Sequence, residues 1–211
     1  RVFKRALKKT GIKLGYSEGF NPHPKISFAQ PLTLGFSSDC ELLEMETTID
    51  LTPKEIINKL NLVLPEGIEI INCMEFDLKA SPIAAMVDAA EYEVIFNLKE
   101  PFENPGKILC EYMMQDEILG MKRQKKTKKY IPMNIKAKIR KIEIIDKTTN
   151  SYSSSDDLIL KMLLDCGNIS NLNPELVIAT FLQFSGLKCE KYNVDVKKLL
   201  EQLNNIAEQT N

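Results

Sequence analysis

The chain has 211 residues, 44% of them hydrophobic and 27% charged, an ordinary composition for a globular protein with a sizeable core. No apolar run approaches the ~20 residues that span a bilayer and no signal peptide opens the sequence, so a cytoplasmic location with no membrane contact is expected. The net charge is −1, but residues 1–25 hold seven Lys/Arg against one Glu, and residues 121–147 hold eleven against two acids. Residues 26–120 reverse this with five against eighteen, so the chain should carry a basic face on an otherwise acidic surface.

In chain order, RVFKRALKK (1–9) puts Val2, Phe3, Ala6 and Leu7 on one helical side, and Gly11 stops the helix. The sequence opens in the middle of this helix, and a strand is expected before it. Next comes a stiff loop, since Asn21-Pro22 and His23-Pro24 keep their first residues out of the helical region and Gly19 supplies a turn. Lys25–Leu34 reads as a strand, Ser37–Asp39 as a turn, and Leu43, Met45, Thr47 and Ile49 alternate as a second strand. Thr52-Pro53 caps a helix, Pro65-Glu66-Gly67 breaks it, and Ile68–Met74 is a further β run. With a preceding strand the order is β-α-β-β-α-β, the ferredoxin-like pattern.

Residues 79–90 read as a connector with a short helix, and the pattern repeats over 91–211. Glu91–Leu98 is a strand and 108–113 a helix, followed by a basic insertion. Ile139–Ile145 is β-like, Leu158–Leu164 a buried strand or short helix, and Asn173-Pro174 opens a helix closed by Gly186. Lys188–Val194 is read as a last strand and Val196–Glu208 as a C-terminal helix. The fold class expected is therefore α+β, with two packed ferredoxin-like halves at 1–78 and 91–211 and antiparallel sheets.

The run YSEGFNPHPKISFAQPLTLG (16–35), with Glu41 and the strand LLEMETTI (42–49), resembles an uncharacterised bacterial group of radical-SAM-linked proteins. FKRALKKTGI (3–12), PEGIEI (65–70) and AAEYEV (89–94) extend the likeness, which covers the first ~95 residues well and the rest more loosely. The resemblance implies a domain of unknown function, encoded beside or fused to radical-SAM proteins with a cobalamin-binding domain. Some relatives lie near ribonuclease E/G and ribosomal protein genes. It also implies a strand and a short SHLD-like segment before the first helix, and no established activity. The segment KRQKKTKKY (122–130) is richer in lysine than the group suggests.

Candidate sites follow from the residues themselves. His23, the single histidine, either locks its loop through the backbone, binds a phosphate or base edge, or acts as an acid/base with Ser17, Ser27, Glu18 or Glu41 as partner. Tyr16 and Phe20 could each stack on a base or planar ligand or pack under the loop; Tyr16 is an even choice and for Phe20 the core is favoured. Asn21 offers a donor and an acceptor, and Arg5 and Lys25 could hold phosphate. Glu41, Glu44 and Glu46 form an acidic strand edge, with Glu44 and Glu46 on one face, read as solvated rather than as a cation site. Lys125, Lys126, Lys128 and Lys129 form either a phosphate-tracking patch or a solvated hairpin.

Five cysteines (Cys40, Cys73, Cys110, Cys166, Cys189) show no CxxC spacing, so buried reduced thiols are expected and no metal or cofactor. No P-loop, dinucleotide fingerprint, RNP, KH or zinc-knuckle pattern is present. The leading expectation is an RNA-binding or adaptor subunit serving a radical-SAM partner, with tRNA or rRNA bound by the 16–28 loop and the 122–141 stretch. Its binding residues would be Arg5, Tyr16, Ser17, Asn21, His23, Lys25, Lys125, Lys126, Lys128 and Lys129, and none would be catalytic. The alternatives are an RNA- or nucleotide-processing enzyme using His23, and a protein-docking module.

Overall fold

A computed structural model describes residues 1–77, 81–124, 126–145, 157–189 and 194–203, the last four by their backbone alone. The protein is mixed α+β, with antiparallel and mixed sheets. The chain divides into two compact units: residues 1–29 with 43–83, and residues 30–42 with 84–211. Residues 30–42 thus fall in the second unit although both of their flanks belong to the first.

In the first unit, helix α1 (Val2–Thr10) ends at Gly11, whose φ of 72° is the left-handed cap that glycine adopts without strain. Strands β1 (Ile26–Phe28) and, later in the chain, β3 (Leu43–Met45) pair antiparallel, with Ile26 opposite Met45 and Ser27 opposite Glu44. Helix α2 (Pro53–Asn61) starts at a capping box: Thr52 accepts the Glu55 N–H, and the Glu55 carboxylate accepts the Thr52 N–H. Ala6, Leu7 and Ile12 meet Ile56 and Leu60 in a small core, with Ile26, Met45 and Ile70 packed against it.

The β run expected over Ile68–Met74 is not a strand. Its backbone is tied to a side chain instead, because the Asn61 amide bonds both the N–H and the C=O of Ile70. The strand expected over 25–34 is likewise cut to β1, before Pro31, which has no N–H to give a ladder.

The second unit carries the main sheet. Strand β2 (Ser37–Ser38) lies where the sequence suggested a turn, and it pairs in parallel with β9 (Val194–Leu203). Between them in sequence come α3 (Ile83–Met86), β4 (Val87–Phe96), α4 (Pro105–Met114), β5 (Leu119–Arg123) and β6 (Tyr130–Asn134). A single 3₁₀ turn (Lys136–Lys138), β7 (Ile139–Ile144), β8 (Leu158–Asp165) and α5 (Pro174–Ser185) follow. The strand order is β2-β9-β4-β8-β7, antiparallel everywhere except at β2. Strand β4 begins at Val87, inside the stretch read as a connector.

The C-terminal helix expected at Val196–Glu208 is a strand through Leu203; of the strand expected at 188–194, residues 188–189 are not strand, residues 190–193 lie outside the described residues, and Val194 opens β9. Its leucines suit a helix, but the segment pairs with β4 on one side and β2 on the other, and those two ladders outweigh local preference. The expected end, residues 204–208, lies outside the described residues. Phe96, Phe181 and Tyr112 form an aromatic seam in the core, with ring centroids 6.1 and 5.4 Å apart. Burial raises the Tyr112 hydroxyl pKa, and that hydroxyl is hydrogen-bonded to Thr180 at 2.8 Å. Among the described residues no helix is long and apolar enough to cross a membrane.

Candidate functional site

The loop predicted to present a site is a locked hairpin-like excursion of the first unit. Ser17 and His23 close it twice: the Ser17 N–H donates to the His23 carbonyl, and the His23 N–H donates to Ser17 Oγ, both at 2.9 Å. Tyr16 bridges Pro24, and the Lys25 N–H donates to the Gly15 carbonyl at 2.8 Å. Ser17 is therefore the lock, and the His23 imidazole stands exposed with its backbone already satisfied. Gly19, at φ 121°, turns the tip through a conformation closed to other residues.

Phe20, expected in the core, is fully exposed at that tip. The two Pro residues and the Ser17 lock leave the five-residue tip no route back to the sheet, so the ring faces solvent. Tyr16 is half exposed, and Asn21 is exposed. Lys25 is engaged: its Nζ lies 2.7 Å from Glu46 Oε2. Ser27 donates to Glu44 at 2.7 Å, and Glu44 also accepts the Ile83 N–H. Glu44 and Glu46 thus share a face as expected, and both are occupied by neighbours. Arg5 is exposed on α1.

The basic stretch forms an antiparallel hairpin of the second unit, β5 against β6. Leu119 faces Asn134, Met121 faces Pro132 and Arg123 faces Tyr130, so these six side chains share one side of the ribbon. The other side is rooted in the unit: Gly120 is buried, and a Cβ there would lie 3.3 Å from Ile135 and 3.6 Å from Leu176. The outer side is open, with Leu119 at 53%, Met121 at 52% and Tyr130 at 62% exposure. The turn closes through Gln124 N–H to Lys129 C=O and Lys128 N–H to Gln124 C=O, with Lys128 at φ 56°.

Lys122, Arg123, Lys126, Lys128 and Lys129 are all exposed. Among the described residues none of them pairs with a carboxylate. Lys125 lies outside the described residues.

Past the hairpin Lys136, Arg140 and Lys141 are engaged. Lys136 Nζ donates to the Gln115 carbonyl at 2.6 Å, and Lys141 pairs with Glu143 at 2.7 Å. Arg140 binds Asp165 at 2.7 Å, Asp88 at 3.1 Å and the Asp88 carbonyl at 2.9 Å. Burial alone would raise the Asp165 carboxyl, but hydrogen bonds from Ser170 and Arg140 outweigh it and hold the group below the usual range. The 122–141 stretch thus joins an exposed cationic tip, in which Arg123 Nε donates to the Lys128 carbonyl at 3.4 Å, to a base where Lys136, Arg140 and Lys141 are tied into the unit.

The sequence reading singled out the lysines and missed the outer apolar row of Leu119, Met121 and Pro132. Part of the signal was available, since 119–134 contains six cations and no acid, flanked by Leu119 and Met121 on one side and Tyr130–Met133 on the other. Of the cysteines only Cys166 is buried; Cys40, Cys73 and Cys189 are half-buried and Cys110 is exposed, which corrects the expectation of buried thiols. Among the described residues no three or more His, Cys, Asp or Glu gather as a metal ligand set.

The family model described as an uncharacterized protein conserved in bacteria (DUF2344) matches residues 1–174, and the chain belongs to that family. No curated protein matches it.

Proposed function

We propose that this DUF2344 protein is an RNA-binding subunit with no chemistry of its own, working in the cytoplasm beside a radical-SAM partner. One observation carries the RNA reading: the hairpin tip presents Lys122, Arg123, Lys126, Lys128 and Lys129 to solvent without a described carboxylate partner, next to an exposed Tyr130. Five exposed cations on a short ribbon repel one another, and an anionic polymer relieves that repulsion by releasing its own counterions. The radical-SAM partner rests on the likeness of residues 16–35. The same reading takes both halves as ferredoxin-like, supported by the order β9-β4-β8-β7 in the second unit and by helix–strand–strand–helix in the first.

The test is association of the full chain with cellular RNA, followed by a salt titration. Affinity should fall linearly on a log–log plot. Neutralising Lys126, Lys128 and Lys129 to Gln should flatten that slope by about 2, at roughly 0.7 per single-strand phosphate contact. Absence of association at low salt would sink the proposal.

The full exposure of Phe20 on a locked loop supports a second role, docking of the first unit onto a protein. An aromatic held out on a stiff loop is already ordered, so little entropy is lost on binding. Phe20→Ser should then abolish co-purification with a co-expressed radical-SAM protein, and the hairpin lysine variants should not. Retention of the partner by Phe20→Ser would end the docking role.

A further inference from the structure

We infer that the hairpin takes unpaired nucleotides, with bases laid on its outer side and phosphates on its tip; the inference rests on the RNA reading above. Register puts Tyr130 directly opposite Arg123, and Met121 opposite Pro132, on the side away from buried Gly120. The outer side therefore grades from apolar at its root, Leu119 and Met121, to a planar aromatic beside a guanidinium, and then to the lysines of the turn.

Each step of this gradient suits one part of a single strand. A base has a π-face that stacks on tyrosine and is covered by arginine, and apolar side chains below extend that platform. The lysines beyond track the backbone. A duplex offers phosphates to the lysines but no base face to the platform, because its bases are stacked inside. The major groove of an A-form helix is also too deep and narrow for a ribbon to enter.

The charge pattern selects the occupant further. Residues 119–134 carry six Lys/Arg and no Asp or Glu, so the partner is anionic. An anionic membrane would need apolar side chains at the most protruding end, where this hairpin has lysines, so the gradient runs the wrong way for lipid.

The experiment measures anisotropy of a labelled, unstructured single-stranded RNA of about 12 nucleotides, a length within the usual site sizes, with the full chain. The same strand annealed to its complement and vesicles rich in phosphatidylserine are compared at one salt concentration. The single strand should bind at least about tenfold more tightly than the duplex. Tyr130→Ala should weaken single-strand binding by about tenfold or more and leave duplex binding unchanged, with Tyr130→Phe retaining affinity. Met121→Ser, on the same side, should weaken it to a smaller degree.

Equal affinity for single strand and duplex, with Tyr130→Ala indifferent and the lysine variants still impaired, would overturn the stacking platform and leave the RNA reading standing. Binding to neither RNA overturns both. Vesicle binding without RNA binding overturns both and assigns the hairpin to lipid.

Discussion

Lys198 is 2% exposed, and its Nζ lies 2.7 Å from Oε1 of Glu41. The lysine sits on β9 and the glutamate just beyond β2, so the pair pins residues 30–42 to the sheet beside the two-residue parallel ladder and the Asp39 N–H to Lys198 carbonyl bond. An ammonium removed from water needs its counter-charge, and removing one partner costs more than the pair is worth. Glu41→Gln should destabilise the protein by about 3 kcal/mol in urea unfolding, whereas Glu41→Leu combined with Lys198→Met should return stability to near or above the wild-type value. If the double variant is as unstable as the single one, the pair is not the pin.

Two glycines should respond differently to a methyl group. A Cβ at Gly167 would lie 2.5 Å from the Val87 carbonyl oxygen and 3.3 Å from the Asp88 Cα, both backbone atoms that cannot yield without moving β4. Gly167→Ala should cost about 2 kcal/mol or more. A Cβ at Gly15 would lie 2.8 Å from Glu46 Oε1, the end of a flexible side chain that can swing aside at the expense of an exposed ion pair with Lys25. Gly15→Ala should cost less than about 1 kcal/mol. Thermal unfolding of the two variants side by side decides between them; equal costs would contradict the contrast.

Arg140 should set the acid limb of stability. Because Asp165 is held below the usual carboxylate range in the folded protein, its contribution is complete above the unfolded pKa. It is lost as pH falls through the lower folded value. Arg140→Gln removes one of the interactions that depress Asp165 while burial, which raises it, remains. Stability at pH 7 should drop by about 2 kcal/mol, and acid unfolding should begin at a higher pH than in the wild type. An unshifted acid midpoint would show that Ser170 and Lys138 hold Asp165 down without Arg140.

Much of the architecture was legible in periodicity and punctuation. Gly11 and Gly186 end helices where they should, Thr52-Pro53 caps one, and the 158–164 run is a strand paired on both sides. The failures share a cause. Residues 37–38, 68–74 and 196–203 depend on distant partners: a parallel ladder, the amide of Asn61, and two flanking strands. Nothing local announces those partners. At the candidate site the engagement of the basic residues was not readable: Lys25, Arg140 and Lys141 look as free as Lys128 until their carboxylates are placed. Phe20 looked like core because it is apolar, but a short tip closed by Ser17 cannot reach a core.

The parallel pairing of Ser37 with Lys197 also bears on how the protein is made. On the ribosome, residues 30–42 emerge long before the strand they join, while the segments on either side of them already have helices and strands to build. The edge strand must therefore wait as an unpaired loop until nearly all of the described chain has been synthesised, a contact of high sequence separation that forms late. Glu41 waits with it and closes on Lys198 only when β9 arrives. A nascent chain stalled before residue 194 would leave β4 with an open edge, the kind of surface that recruits other strands.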